Sequence, residues 1–159
     1  MASDYLLEID GIKGESQDKK HGGTIEVSSF SWGMSQPASA ASGGGAGSGK
    51  VSFQDIHFTT TVSKASPPLA QACAAGTHIK KATLFVRKAG GKQDDFYTVL
   101  LEDCIVSSYQ SGGSGDQLPS EQVSINFSKI KFEYKEQAAD GSLKGATPMT
   151  WNVKTNAAK

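Results

Sequence analysis

The stretch T-I-E-V-S-S-F-S-W-G-M-S-Q, residues 24–36, decides the fold of this 159-residue chain. Its apolar residues recur at every second position, which is the pattern of a β-strand with one buried face. The phase of the alternation changes across two consecutive serines, so the apolar residues divide into two sets: Ile25 and Val27, then Phe30, Trp32 and Met34. A bulge or sharp bend at the serines would let both sets point into one core.

The face opposite Phe30 and Trp32 carries only small residues, namely Ser29, Ser31 and Gly33. A strand with large aromatic residues on one side and small ones on the other often borders a narrow space or another backbone. An ordinary solvent-facing edge would have the same composition. Residues 24–36 alone leave both interpretations open.

Two further strands also change phase halfway. Residues 51–63 change phase at Gln54-Asp55, and residues 123–135 change phase at Ser128-Lys129. Strands that turn corners are required by closed or strongly bent barrels but not by flat sandwiches. The sequence therefore predicts an all-β protein, a bent barrel of two curved sheets.

The remaining segments complete a single domain over residues 1–159. A short helix is predicted at residues 67–75, because prolines stand in its first turn and Gly76 follows its end. The polar residues 13–23 have the composition of an exposed loop. The other predicted strands are residues 4–12, residues 81–88, residues 96–109 (apolar on both faces, as in a strand covered on both sides) and a short strand at residues 149–153.

Residues 37–50, P-A-S-A-A-S-G-G-G-A-G-S-G-K, are almost entirely Gly, Ala and Ser. Such a segment has little apolar area with which to fix itself on its own subunit. We expect it to be flexible in an isolated subunit. A long loop of this kind is usually either disordered or functional.

Charge and cysteine content restrict the possible partners and the compartment. Lys and Arg total 16, as do Asp and Glu, so no long-range field attracts nucleic acid or an anionic membrane. The N-terminus lacks an apolar stretch of signal-peptide length, which predicts synthesis and folding in the cytoplasm. Cys73 and Cys104 have no metal-like spacing, and each is expected to be a buried reduced thiol, which agrees with this compartment.

The sequence contains no convincing catalytic, cofactor-binding or metal-binding motif. Residues 44–51, G-G-A-G-S-G-K-V, resemble a phosphate-binding loop but lack the final Ser or Thr and lead into a strand instead of a helix. The three histidines, His21, His57 and His78, have no metal-ligand spacing. Cys73 and His78 would need a third, orienting group to act as nucleophile and base, and the sequence indicates none.

A series of motifs over nearly the whole chain resembles the hemolysin-coregulated protein (Hcp) family of bacterial type VI secretion systems. In chain order these are K-G-E-S-Q-D-K-K-H, F-S-W-G-M-S-Q, G-K-V-S-F-Q-D-I-H-F, A-C-A-A-G-T-H, R-K-A-G-G, S-S-Y-Q-S-G-G-S-G, V-S-I-N-F-S-K-I-K-F-E-Y and W-N-V-K-T-N. No single motif is diagnostic, but the ordered series is specific.

The resemblance implies a structural protein, not an enzyme. It implies a β-barrel with one helix that forms homohexameric rings, and the rings stack into a tube inside a contractile sheath behind a spike protein. Contraction would export the tube from the cytoplasm by the type VI route without a signal peptide, and small effectors would travel in the ring lumen.

The resemblance also gives roles to two sets of residues. Ser29, Ser31 and Gly33 would face the lumen and its effectors. The segment 37–50 would make ring-to-ring contacts through Ala40, Ser42, Gly44, Ala46 and Ser48. The alternatives are another phage tail-tube-like protein and, in a different class, a secreted glycan-binding β-barrel.

Overall fold

The computed structural model describes residues 3–37, 50–88 and 93–159. Within these residues the chain forms ten β-strands and one α-helix. The strands are β1 Ser3–Ile9, β2 Ile25–Val27, β3 Ser29–Ser31, β4 Met34–Ser35, β5 Ser52–Phe53, β6 Ile56–Thr61, β7 Ile79–Lys88, β8 Asp95–Gly112, β9 Ser120–Gln137 and β10 Leu143–Asn152, and the helix is α1 Ser66–Ala75.

One antiparallel sheet contains eight of the strands and curls into a nearly closed barrel. Its strand order is β2-β1-β7-β8-β9-β6-β3, and β10 pairs with part of β9. The two ends of this order, β2 and β3, are consecutive in sequence and separated only by Ser28, whose backbone N–H donates to the Thr59 carbonyl at 2.8 Å. The predicted bend at the serines therefore carries the chain across the seam of the barrel.

Residues 24–36 form three short strands and not the single long strand that the alternation suggested. β2 pairs with β1, β3 pairs with β6, and β4 pairs with β5 in a separate two-stranded ribbon. Ile25 and Val27 are buried, and Phe30 and Trp32 are half-buried against the core. The prediction was wrong for Met34, which is 43% exposed because it lies on the ribbon outside the barrel.

The two longest strands, β8 and β9, turn a corner together. The buried set in β9 changes phase across Ser128 and Lys129, which confirms the predicted corner. The buried residues of β8 also switch to the alternate positions, at the point opposite Ser128 and Lys129. The pairing register between β8 and β9 is the same before and after this point. Asp103, with φ +53°, lies at this point in the left-handed region, which non-glycine residues seldom adopt. The fully buried residues on either side are Val99 and Leu101, then Cys104 and Val106.

This corner corrects one interpretation of the sequence. The apolar run in β8 was expected to be a strand covered on both faces, but Leu100 and Ile105 are only half-buried. Two alternating sets joined by a phase change look, in sequence, like one continuous apolar run. Asp103 fixes the corner by accepting from Lys154 Nζ at 2.6 Å and from Ser128 Oγ at 3.1 Å.

Helix α1 confirms the predicted start and stop signals. Pro67 and Pro68 lie in its first turn, and Gly76 closes it with φ +62°. The helix packs against β8 through Leu69 and Ala72, which are buried. No helix within the described ranges is long and apolar enough to span a membrane.

Residues 13–23 were expected to be an exposed loop, and this prediction was wrong in part. Ser16 is buried, and a Cβ added at Gly14 would lie 2.3 Å from the Thr24 carbonyl oxygen. His21 stacks on Phe85 with the ring centroids 4.0 Å apart. This segment packs onto the sheet, which its polar composition did not indicate.

Other boundaries agree less closely with the sequence analysis. β10 begins at Leu143, six residues before the predicted strand. Residues 51–63 were predicted to form one strand that changes phase at Gln54-Asp55, but they form two strands, β5 and β6, which belong to different sheets and are separated at these two residues. Both cysteines are free, Cys104 buried and Cys73 half-buried. Burial raises the pKa of the Cys104 thiol to about 12, so this cysteine is a core residue and not a reactive group.

Candidate functional site

The small residues of β3 lie beside the outward-facing residues of β6. Ser31 pairs with His57, and Ser29 pairs with Thr59. Both serines are exposed, whereas Phe30 between them packs edge-on against Tyr5 with the ring centroids 5.2 Å apart. The alternation predicted from the sequence is therefore confirmed at these positions.

Two rows of polar side chains continue from β3 across the sheet. In an antiparallel sheet, directly opposed residues share a face. The first row is Ser31, His57, Ser124 and Ser108, and the second row is Ser29, Thr59, Gln122 and Gln110. We call these eight residues the polar face.

The polar face is hollow over β6, β9 and β8. One depression of about 380 Å³ and a neighbouring one of about 610 Å³ lie over it, and both are lined by Gln110 and Gln122. The larger depression reaches His57, Ser108 and Ser124. The part of the polar face that lies on β6, β9 and β8 is therefore concave.

None of the eight residues carries a fixed charge, and His57 is the one that becomes a cation when it is protonated. Its Nδ1 lies 2.6 Å from the Ser124 hydroxyl oxygen, so the ring is held in one orientation. Beyond this end of the face, Asp55 accepts hydrogen bonds from Ser107 Oγ at 2.6 Å and from Asn126 Nδ2 at 2.8 Å.

The other residues that the sequence analysis assigned to the lumen and to ring stacking are not part of the polar face. They are Gly33 and residues of the segment 37–50. Gly33 lies beyond the end of β3, where its carbonyl accepts from the Gln54 N–H at 2.9 Å. The proposed stacking residues lie outside the described residues: Ala40, Ser42, Gly44, Ala46 and Ser48. At the end of that segment Val51 leads into strand β5, so the helix that a phosphate-binding loop requires does not follow.

The sequence analysis identified only the β3 edge of the polar face. His57, Thr59, Gln122 and Ser124 have the correct alternation in their own strands, and that signal was available. Only strand pairing shows that they continue the serine face, because their separation in sequence exceeds 20 residues. Within residues 3–37, 50–88 and 93–159, no group of three His, Cys, Asp or Glu side chains is arranged to hold a metal ion.

A second polar cluster holds residues 13–23 against the other side of the barrel. Arg87 is buried, its Nη2 donates to the Asp18 carboxylate, and its Nε lies 3.6 Å from Asp4 Oδ2. The hydrogen bond from Arg87 holds the pKa of Asp18 at about 2. His21 Nε2 lies 2.9 Å from Asp95 Oδ2 in the same region. These contacts are structural, since they attach the segment to β7 and β8.

The Asp18–Arg87 pair predicts a specific loss of stability in acid. The ordinary pKa of an aspartate is 3.8, and that of Asp18 is lowered to about 2 in the folded state. The pair therefore stabilises the fold fully above about pH 4, and this contribution disappears as the pH falls towards 2. Urea unfolding of Asp18→Asn between pH 7 and pH 2 should show lower stability at pH 7 and a flatter acid limb.

Arg87→Met is the matched control, because it removes the partner and not the acid. It should flatten the acid limb as Asp18→Asn does, and the double variant should flatten it no further. An acid limb in Asp18→Asn as steep as in the unmodified protein would show that this pair does not carry the effect.

Comparison with known proteins supports one family. Residues 6–134 match the family model described as "Type VI secretion system effector, Hcp". The chain is 43% identical over 160 residues to Protein hcp1 of Pseudomonas aeruginosa, covering 98% of each sequence.

Solved structures agree with the sequence comparison. A structure described as a type six secretion system protein matches with a TM-score of 0.93 and 30% identity, covering 99% of this chain and 100% of the other. Hcp1 from Salmonella typhimurium matches with a TM-score of 0.81 and 36% identity, covering 98% of each chain.

Proposed function

The chain belongs to the Hcp family of the type VI secretion system, and from this premise we propose that six copies form a ring of the secretion tube with the polar face lining its channel. Hcp is a family of structural secretion-system proteins, and its members are secreted. The observation that carries the proposal is the concave, uncharged polar face on the side of the sheet away from the core. A channel wall requires such a surface, because it must stay hydrated and must not trap passing charged groups.

Open strand edges on both sides of the polar face support ring formation. Among the described strands, β3 pairs only with β6, and β7 ends its pairing with β8 at Cys104. Residues 105–112 of β8 therefore present an edge on one side of the face, and β3 presents an edge on the other. Exposed edges promote pairing with another chain, and a closed ring satisfies them. Joining β8 of one subunit to β3 of the next would continue the polar face around a channel.

In this proposal the stacked rings lie inside the contractile sheath behind the spike protein. Sheath contraction exports the tube from the cytoplasm together with small effectors that the channel carries. The segment 37–50 leaves the β4–β5 ribbon and makes the contact between rings. The equal numbers of acidic and basic residues favour dense packing of identical subunits, since net repulsion is small.

Purified protein at micromolar concentration and neutral pH should form hexamers. Light scattering should give about six times the subunit mass of 16.7 kDa, and negative-stain images should show rings. Paired edges and complementary surfaces give the physical reason for a closed assembly. A monomeric mass from protein with native circular dichroism would contradict the proposal.

A further inference from the structure

We propose that the polar face binds acidic segments of its passenger proteins through His57, and that it does so when the imidazole is protonated. This inference rests on the proposed function, because a shared channel is what brings the copies of His57 together. It goes further by giving the chemical class of the partner and the condition for its binding.

The position of His57 makes it a hydrogen-bond donor to the channel. The side chain is exposed, and its Nδ1 bonds to Ser124 Oγ, which belongs to a residue that is only 7% exposed. Within the described part of the chain, Nε2 has no hydrogen-bond partner. A hydroxyl oxygen can accept as well as donate, so Ser124 can hold the ring in both protonation states. The protonated ring then directs one N–H towards Ser124 and the other towards the channel.

The surroundings make the charge of His57 decisive. The side chains that face it are Ser29 and Ser31 from β3, Thr59 from β6, Gln122 and Ser124 from β9, and Ser108 and Gln110 from β8, and all of them are neutral. Asp55, two residues before His57, keeps its negative charge, and its two carboxylate oxygens accept hydrogen bonds from Ser107 and Asn126. Protonation therefore adds one positive charge per subunit to the eight residues of the polar face, which otherwise carry none.

A ring multiplies this change by its symmetry. Each protonated copy of His57 adds a charge to the same channel, and charges of one sign in a cleft attract counter-charged partners strongly. A mildly acidic solution favours the protonated imidazole, so lowering the pH adds positive charge to the channel. Carboxylate-rich polypeptide is the complementary partner, since Asp and Glu remain ionised at pH 5.5.

The test uses rings of the full-length protein and a fluorescein-labelled polyglutamate peptide as the probe, with a polylysine peptide of equal length for comparison. Fluorescence anisotropy at low salt should show polyglutamate binding at least about tenfold tighter at pH 5.5 than at pH 7.5, because surface charge interactions are strong when unscreened. Polylysine should not bind at pH 5.5. His57→Gln should lose the binding at pH 5.5, and His57→Lys should bind polyglutamate at both pH values.

His78→Gln is the matched control. His78 is also exposed, but it pairs with Asp103 at the β8–β9 corner and lies off the polar face, so its replacement should leave binding unchanged. Light scattering of every variant at both pH values separates the two hypotheses. Absence of rings would contradict the proposed function itself, whereas intact rings with pH-independent binding, or with full binding by His57→Gln, would overturn only the role of His57.

Discussion

Replacing Trp32 by alanine should lower the free energy of unfolding by about 3 kcal/mol, the lower end of the range for large aromatic residues, since this side chain is half-buried. Its indole ring meets Phe132 edge-on with the ring centroids 5.3 Å apart. Its Nε1 donates to the Tyr97 hydroxyl at 2.8 Å, and burial raises the pKa of that tyrosine. Alanine would remove both contacts and open a cavity beside Tyr97 of β8 and Phe132 of β9.

The neighbouring substitution Ser31→Asp should change stability by no more than about 0.5 kcal/mol, because the serine is an exposed surface residue. In a ring, however, this single change adds one negative charge per subunit to the proposed channel beside His57. It should therefore alter passenger binding while leaving the fold intact. Ser31→Gln tests size without charge and serves as its control.

Urea unfolding, light scattering and co-purification of effectors would measure this contrast. Trp32→Ala should shift the unfolding midpoint strongly, and Ser31→Asp should change only the co-purified proteins. If Ser31→Asp unfolded the protein and Trp32→Ala did not, the assignment of the two faces of β3 would be reversed.

Deleting residues 40–48 should abolish tube assembly and secretion while the subunit stays folded. The deleted residues are all Gly, Ala or Ser and contribute very little apolar area. The segment connects β4 to β5, where Ser35 pairs with Ser52, so the seven residues that remain between this pair can close the hairpin. Ring-to-ring contact should be lost, and rings should remain.

Circular dichroism shows whether the subunit is folded, light scattering shows whether rings form, and electron microscopy shows whether the rings stack into tubes. A variant that keeps the nine residues in a different order is the control for loop length and composition. If it still forms tubes, the order of the residues does not matter for stacking. An unfolded deletion variant would instead place this segment in the core and contradict the proposal.

Much of the fold could be predicted from local patterns. The helix was predictable because Pro67 and Gly76 act within one turn of themselves. The corners at Ser28, Gln54 and Ser128 were predictable because a strand that changes its buried face must exchange the phase of its apolar residues. The motif series further identified the family, which the comparisons confirm over residues 6–134.

Errors occurred where distant contacts outweigh composition. Residues 13–23 are polar, yet Arg87 and Asp95, more than 60 positions away, hold Asp18 and His21 against the sheet. Met34 follows the apolar alternation, yet its pairing with Phe53 places it on the exposed ribbon. Neither partner is apparent from the neighbouring sequence.

The sequence by itself determined the class of fold, the bend at the serines and which side of β3 carries small residues, because alternation is a property of consecutive residues. Tertiary structure alone decided that Ser31 shares one row with His57, Ser124 and Ser108, and that this row borders a concave surface without fixed charge. Strand register depends on how β3, β6, β9 and β8 pack over a common core, and packing acts between residues that are remote along the chain.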